Sequence, residues 1–234
     1  MKLAIMQPYF LPYLGYFQLI DSVDKFVIYD DVDFIVSGWI NRNNIWVNER
    51  KHLITVPLQN GRRGVRIHDV QVSCSDSYWK RKLLKKVQLN YSKAPIFDQV
   101  FPWFESFLMG HYTSISHMNF SAIEWLCNYL GIKTELISSS SKYSNSELGR
   151  ADRLADICVQ EGSDHYINAS GGRQLYDQTM FDPFGIKLSF LEPELMPYKQ
   201  GNFDFVPGLS ILDVLMNNSS EVASEMVRSG GVTD

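Results

Sequence analysis

Apolar positions along this chain fall into short strand-length runs that alternate with longer helical ones. Lys2-Leu3-Ala4-Ile5-Met6 reads as a strand, and Phe17-Gln18-Leu19-Ile20 reads as helix after a connection rich in Pro and Tyr. Lys25-Phe26-Val27-Ile28-Tyr29 reads as a second strand, ending at Asp30-Asp31. Strand, stiff turn, helix and strand open a βαβ unit. Residues 32–73 are β-rich, with short runs at 45–47 and 53–58, an alternating run at 65–72, and polar turns between them. Helical periodicity follows over 78–91, from Pro95 to about residue 108, and over 116–130, with Gly131 as a C-cap. Strand and helix then alternate again: strands at 134–137, 165–167 and 187–191, and helices at 146–161, through Leu175-Tyr176, and at 211–216. The pattern predicts an α/β fold: one Rossmann-like, mostly parallel sheet in a single domain over 1–217. A β-hairpin and helical insertion over about 43–131 is expected to cover the site, and the polar segment 218–234 is expected to fray.

Composition narrows the class. Of 234 residues, 45% are hydrophobic and 21% charged, an ordinary globular balance. Aromatic content is 13%, and tyrosines in number suit pockets, because each joins apolar area to a hydroxyl. A net charge of −4 argues against a dedicated nucleic-acid binder. Cys74, Cys127 and Cys158 are odd in number and widely spaced, which excludes a disulfide framework or zinc spacing. Cys127 and Cys158 fall in apolar helical patterns as small core residues, and a reducing cytoplasm is the expected compartment. Gln7, Pro8 and Pro12 break the N-terminal apolar run, so it is not a convincing signal peptide, and no run has the length of a membrane span.

Candidate chemistry gathers at the predicted strand ends, where open α/β sheets bind ligands. The first candidate carries Gln7, Tyr9, Tyr13 and Tyr16. Its spacing Pro8-x-x-x-Pro12-Tyr13-x-Gly15-Tyr16 resembles the strand-to-helix loop of HIGH-type nucleotidylyltransferases, with Tyr where that motif has His. Tyrosine does not supply the positive charge that steadies a triphosphate. Gly15 at a helix start would leave backbone N–H groups open to a phosphate. The second candidate is Asp30-Asp31 with Trp39, Asn41 and Arg42. Its carboxylates suit a base or amine anchor, or Mg²⁺, and its guanidinium suits a phosphate or carboxylate. The third joins Gly149-Arg150-Ala151-Asp152-Arg153 to Ser170-Gly171-Gly172 and Tyr176, a backbone anion nest at a helix mouth. Each also has a plainer reading, as a proline turn, a solvated acidic turn or an ordinary βα turn. A fourth feature is the basic amphipathic helix of Trp79-Lys80-Arg81-Lys82 with Lys85-Lys86 and Lys93, either a solvated face or a dock for an acidic carrier protein or tRNA. The five histidines have no metal spacing.

Residues 4–20, 26–32 and 38–43 carry a more specific signal, as do 91–95, 166–172 and 209–215. Together they identify the chain as resembling the WbqC-like family of bacterial polysaccharide gene clusters. That resemblance implies a role in O-antigen biosynthesis: transfer of glycine or another aminoacyl group to an amino sugar. It supplies no settled catalytic residues. The resulting expectation is an N-acyl transferase acting on a nucleotide-linked amino sugar. Asp30, Asp31 and Arg42 are its catalytic candidates. Gln7, Tyr9, Tyr13, Tyr16, Trp39, Asn41, Ser170, Gly171, Gly172 and Tyr176 are its binding candidates, and no metal ligand set is expected. The donor stays open between ATP with Mg²⁺, a carrier-protein thioester and an aminoacyl-tRNA. The alternative is a non-catalytic sugar-nucleotide-binding or scaffold protein.

Overall fold

A computed structural model describes residues 1–73, 77–201 and 204–234. Cys74 lies outside the described residues. The chain forms β1 (Lys2–Met6), α1 (Leu14–Asp21), β2 (Lys25–Ile28), a hairpin of β3 (Arg42–Val47) and β4 (Arg50–Thr55), then α2 (Tyr78–Tyr91), α3 (Phe97–Met109) and α4 (Ile115–Tyr129). It continues with β5 (Glu135–Ile137), α5 (Arg150–Gln160), β6 (His165–Ala169), β7 (Lys187–Glu192), α6 (Ile211–Asn217), α7 (Ser220–Arg228) and β8 (Gly231–Thr233). The main sheet has the order β5-β2-β1-β6-β7-β8, parallel except for β8. From β1 the chain first builds outward through β2 to β5, then crosses through α5 to β6 on the other side. The order therefore reverses between β1 and β6, and a doubly wound sheet opens its ligand crevice there.

Strand alternation distributes the core between both faces of the sheet. Ala4, Phe26, Ile28 and Ile167 join α1, α4, α6 and α7 on one face. Leu3, Ile5, Val27 and Tyr166 pack with Leu154, Ile157 and Cys158 of α5 on the other. Burial on both faces explains why these strands read as near-continuous apolar runs. Cys127 and Cys158 are free and buried, and burial pushes both thiols up to about 12.

The hairpin is fastened through one buried carboxylate. Asp213 of α6 accepts hydrogen bonds from Tyr91 Oη of α2 (2.6 Å), Tyr198 Oη (2.6 Å) and Gln200 Nε2 (2.9 Å). Tyr91 Oη in turn accepts from the Trp46 amide of β3 at 3.0 Å. Burial raises the Asp213 pKa, and the three donors oppose that rise.

Three regions differ from their sequence pattern, one of them the expected helix through Leu175-Tyr176, where a 3₁₀ turn over Ser170–Gln174 stands instead. Residues 65–72 are not a strand but a short 3₁₀ turn with isolated bridges, because the Ile67 and His68 amides bond to the carbonyls of Val32 and Asp30. Residues 218–234 are not a frayed tail. Ser219 caps α7, whose Ala223, Met226 and Val227 enter the core, and β8 pairs antiparallel with β7. A nine-residue amphipathic helix carries too few apolar residues to stand out against its polar neighbours.

Glu161, at the end of α5, ties that helix to the sheet. Burial acts to raise its pKa, but hydrogen bonds from Lys142, Lys25 and Tyr143 prevail and hold it at about 2, against an ordinary 4.5. A carboxylate whose folded pKa is depressed stabilises above its unfolded pKa and loses that contribution as pH falls through the folded value. Glu161→Gln should therefore lower the urea midpoint near neutral pH. The gap from the parent protein should close between about pH 4.5 and about pH 2.

Candidate functional site

The loop after β1 is set by side-chain amides rather than by regular structure. Asn43 Nδ2 donates to the carbonyls of Phe10 (3.1 Å) and Leu11 (2.7 Å), and Ser210 Oγ donates to Leu11 at 2.8 Å. Asn119 Nδ2 of α4 reaches the carbonyls of Pro8 (2.9 Å) and Ile40 (2.7 Å). The Phe10 amide bonds to the Trp39 carbonyl at 3.0 Å. These bonds hold Leu11 at φ +43°, a left-handed conformation unfavourable for a branched residue.

Tyr9, Pro12, Tyr13, Trp39, Asn43 and Gly208 line a cavity of about 250 Å³ beside this loop. Burial raises the Tyr9 and Tyr13 phenols above their ordinary range, and Tyr13 adds to the effect on Tyr9. Trp39 is 45% exposed and forms the outer wall. Tyr16 is different. It is buried among Tyr9, Phe17 and Phe26, and donates to the Gln7 carbonyl at 2.9 Å, so it supports the loop from within. Gly15 also has a local reason. A Cβ there would lie 2.5 Å from the Tyr13 ring, which itself fills the space the missing side chain leaves at the first turn of α1. The ring, rather than an open phosphate cradle, occupies that position.

Asp30 and Asp31 leave β2 at 3% and 6% exposure. Asp30 accepts from Ser116 Oγ (2.6 Å), Ser139 Oγ (2.7 Å) and the Ser140 amide (3.2 Å). Asp31 accepts from Ser140 Oγ and pairs with the buried guanidinium of Arg153. Arg153 also donates to Asn145 Oδ1 at 3.0 Å and lies 4.9 Å over the Tyr29 ring. Both carboxylates are thus engaged inside the protein. Among the described residues, no group of three or more His, Cys, Asp or Glu side chains could hold a metal ion.

Arg42 donates to the carbonyls of Gly38 (3.0 Å) and Ser37, clamping the turn that presents Trp39. Asn41 Nδ2 donates to the Val56 carbonyl at 2.9 Å across the hairpin. At the exit of β6, Ser170–Gln174 makes a 3₁₀ turn instead of an α-helix. A Cβ on Gly172 would sit 2.4 Å from Asn168 Nδ2 and would displace that side chain, whereas Gly171 faces open space. Tyr176 packs edge-on to Phe181, 6.3 Å between centroids. Burial raises the Tyr29 pKa, the Arg153 guanidinium lowers it, and Tyr176 and Asp31 add to the rise. Tyr176 therefore acts on the same corner as the acid–guanidinium pair.

The exits of β2, β1 and β6 are neighbours on one edge of the sheet, about 4.8 Å apart per strand. The structure gathers Tyr9, Tyr13 and Trp39 into one cavity. Asp30, Asp31, Arg42, Asn41, Tyr16, Ser170, Gly171, Gly172 and Tyr176 stand outside its lining. Gln7 closes β1 between the flanking exits, and its Oε1 is buried without a hydrogen-bond partner. Reading the sequence did not single out Ser116, Ser139, Ser140, Asn119 or Asp213. The serine run 138–141 directly after a strand was the one visible signal for the acid-binding serines.

A mostly parallel sheet whose strand order reverses between β1 and β6, with helices on both faces, defines a Rossmann-like α/β protein. Within that class the chain belongs to the WbqC-like protein family, whose model matches residues 7–225. It is similar to an uncharacterized protein of Mycobacterium tuberculosis (strain ATCC 25618 / H37Rv), Rv1507c. The two are 34% identical over 223 residues, 94% of this chain and 95% of the relative. No solved structure matches the chain.

Removing one partner of a buried ion pair leaves the other charge uncompensated, typically at a cost of about 3–5 kcal/mol. Asp31→Ala should therefore destabilise the protein by about that amount in urea unfolding. The double variant Asp31→Leu/Arg153→Met should recover most of the loss.

Proposed function

We propose that this protein is an N-acyl transferase that places an aminoacyl group, glycyl first among them, on a nucleotide-linked amino sugar for cell-surface polysaccharide. The observation that carries this reading is the aromatic cavity of Tyr9, Tyr13 and Trp39, built from the loop after β1 and the start of the hairpin. Its 250 Å³ lies just below the usual range of ligand pockets, about 300–1,000 Å³, and leaves room for one ring system. The rest of a sugar nucleotide would extend along the sheet edge toward Ser170-Gly171-Gly172. In the transfer the amine nitrogen bonds to the activated carbonyl carbon. The bond to the leaving oxygen or sulfur breaks, and the amine proton ends on that leaving group. Asp30 and Asp31 act in this reading as the frame of the β2 exit, and Arg42 as the clamp on the Trp39 turn. The donor is a carrier thioester, an aminoacyl-tRNA or an adenylate made from ATP with Mg²⁺. A cytoplasmic location goes with these donors, and no helix among the described residues is long and apolar enough to cross a membrane.

One observation favours a second reading, a non-catalytic sugar-nucleotide-binding or scaffold protein. Both carboxylates at the β2 exit are buried and engaged by internal partners, the Ser116, Ser139 and Ser140 hydroxyls and the Arg153 guanidinium.

Titration calorimetry with a TDP-amino sugar, followed by mass spectrometry after adding glycine, ATP and each donor in turn, separates these readings. Trp39→Ala should weaken binding about tenfold, or about 1.4 kcal/mol. A product heavier by one glycyl residue supports the transferase. Tight binding without product under every donor selects the scaffold, and absence of binding overturns both.

A further inference from the structure

Helix α2 presents Arg81, Lys82, Lys85 and Lys86 along one stripe, while Leu83, Leu84 and Val87 face the core. That stripe does not simply face solvent. With Arg50 and His52 of β4 it lines a groove of about 560 Å³ between the helix and the hairpin. No carboxylate lines this groove, and none of these cations forms an ion pair with a described acid. The groove meets a second cavity of about 520 Å³ at a shared residue, Asn90. There Trp46, Tyr91 and Pro95 supply apolar surface, Lys93 and Lys199 again supply positive charge, and the lining carboxylate, Asp213, is taken up by Tyr91, Tyr198 and Gln200.

The geometry points to a binding site for a single-stranded nucleic acid, its phosphates along the α2–hairpin groove and a terminal nucleoside in the adjoining cavity. The overall charge of −4 makes this concentration of cations local rather than compositional. Lys86 Nζ contacts His52 Nε2. Burial lowers both pKa values, Lys86 and Arg50 lower that of His52 further, and Lys82 does the same to Lys86. Cations held together without a counter-charge among the described residues are relieved by a polyanion. Arg81 and Asn90 lie about 13 Å apart along the helix, the span of a short strand. An acidic carrier protein fits less well. Its prosthetic arm bears one phosphate at the root, whereas a nucleic acid keeps a phosphate at every residue and so engages Lys93 and Lys199 as well. Binding stands independent of the transferase reading. Only the identification of this strand with an acylated donor end rests on it.

Fluorescence anisotropy with labelled eight-nucleotide single-stranded RNA and DNA, an RNA duplex, and a phosphopantetheinylated carrier protein tests the site between 50 and 200 mM salt. The single strands should bind with salt-dependent affinity. Lys82→Glu/Lys85→Glu, at exposed positions, should weaken them at least tenfold and reduce the salt slope by about 0.7 per lost contact. Lys93→Ala/Lys199→Ala should weaken them as well. Equal binding of RNA and DNA assigns recognition to the phosphates and bases, and preference for RNA adds the 2′-hydroxyl. Absence of oligonucleotide binding, indifference to the lysine variants, preference for duplex, or capture of the carrier protein alone overturns the proposal. Both variants should keep the parent affinity for the TDP-amino sugar, so failure here is distinct from failure at the tyrosine cavity.

Discussion

A guanidinium enclosed beside two carboxylates holds the working edge of this sheet together. Arg153 comes from α5, Asp31 from the end of β2, and the serines that complete the cluster from the segment after β5 and from α4. Taking these charges out of water is expensive, and an apolar cluster of equal volume could be as stable. What the ionic version adds is direction. Each donor must meet a particular oxygen, which fixes where the β2 and β5 exits sit relative to the helices on both faces. Tyr29 stacks under the guanidinium at 4.9 Å and closes the cluster on that side.

The segment inserted between β2 and β5 is a structural partner of the β1 loop rather than a detachable cover. Asn43 from the hairpin and Asn119 from α4 satisfy carbonyls that the loop leaves unpaired. Buried backbone oxygens need such donors, and two prolines prevent the loop from supplying its own. The aromatic cavity is therefore shaped jointly by the sheet and the insertion. Asp213 extends the same linkage, joining β3 to α2 and α6, so that hairpin, helical layer and cavity wall are mechanically continuous.

Much of the sheet was legible because its strands are buried on both faces and read as apolar runs. The hairpin and the helices over 78–130 were legible for the same reason, their periodicity matching the element they form. Asp30 and Asp31 illustrate where legibility ends. Two adjacent acids at a strand end look solvent-facing, and the arginine that neutralises one lies 122 residues away. Nothing local announces that pairing. The alternation over 65–72 misled for a related reason, since its amides bond to the β2 exit instead of to a neighbouring strand. Ser170-Gly171-Gly172 was readable as a glycine corner, but not as a 3₁₀ turn closed by the Leu175 and Tyr176 amides on the Gly172 carbonyl.

The antiparallel pairing of β8 has a consequence for the company this molecule keeps. Parallel strands ending in bare amides and carbonyls invite a neighbouring chain to add itself to the sheet. Here β8 occupies the free flank of β7, and the opposite border, β5, is only three residues long. Both borders are thus only three residues long, which discourages growth into fibres or strand-swapped pairs through this sheet.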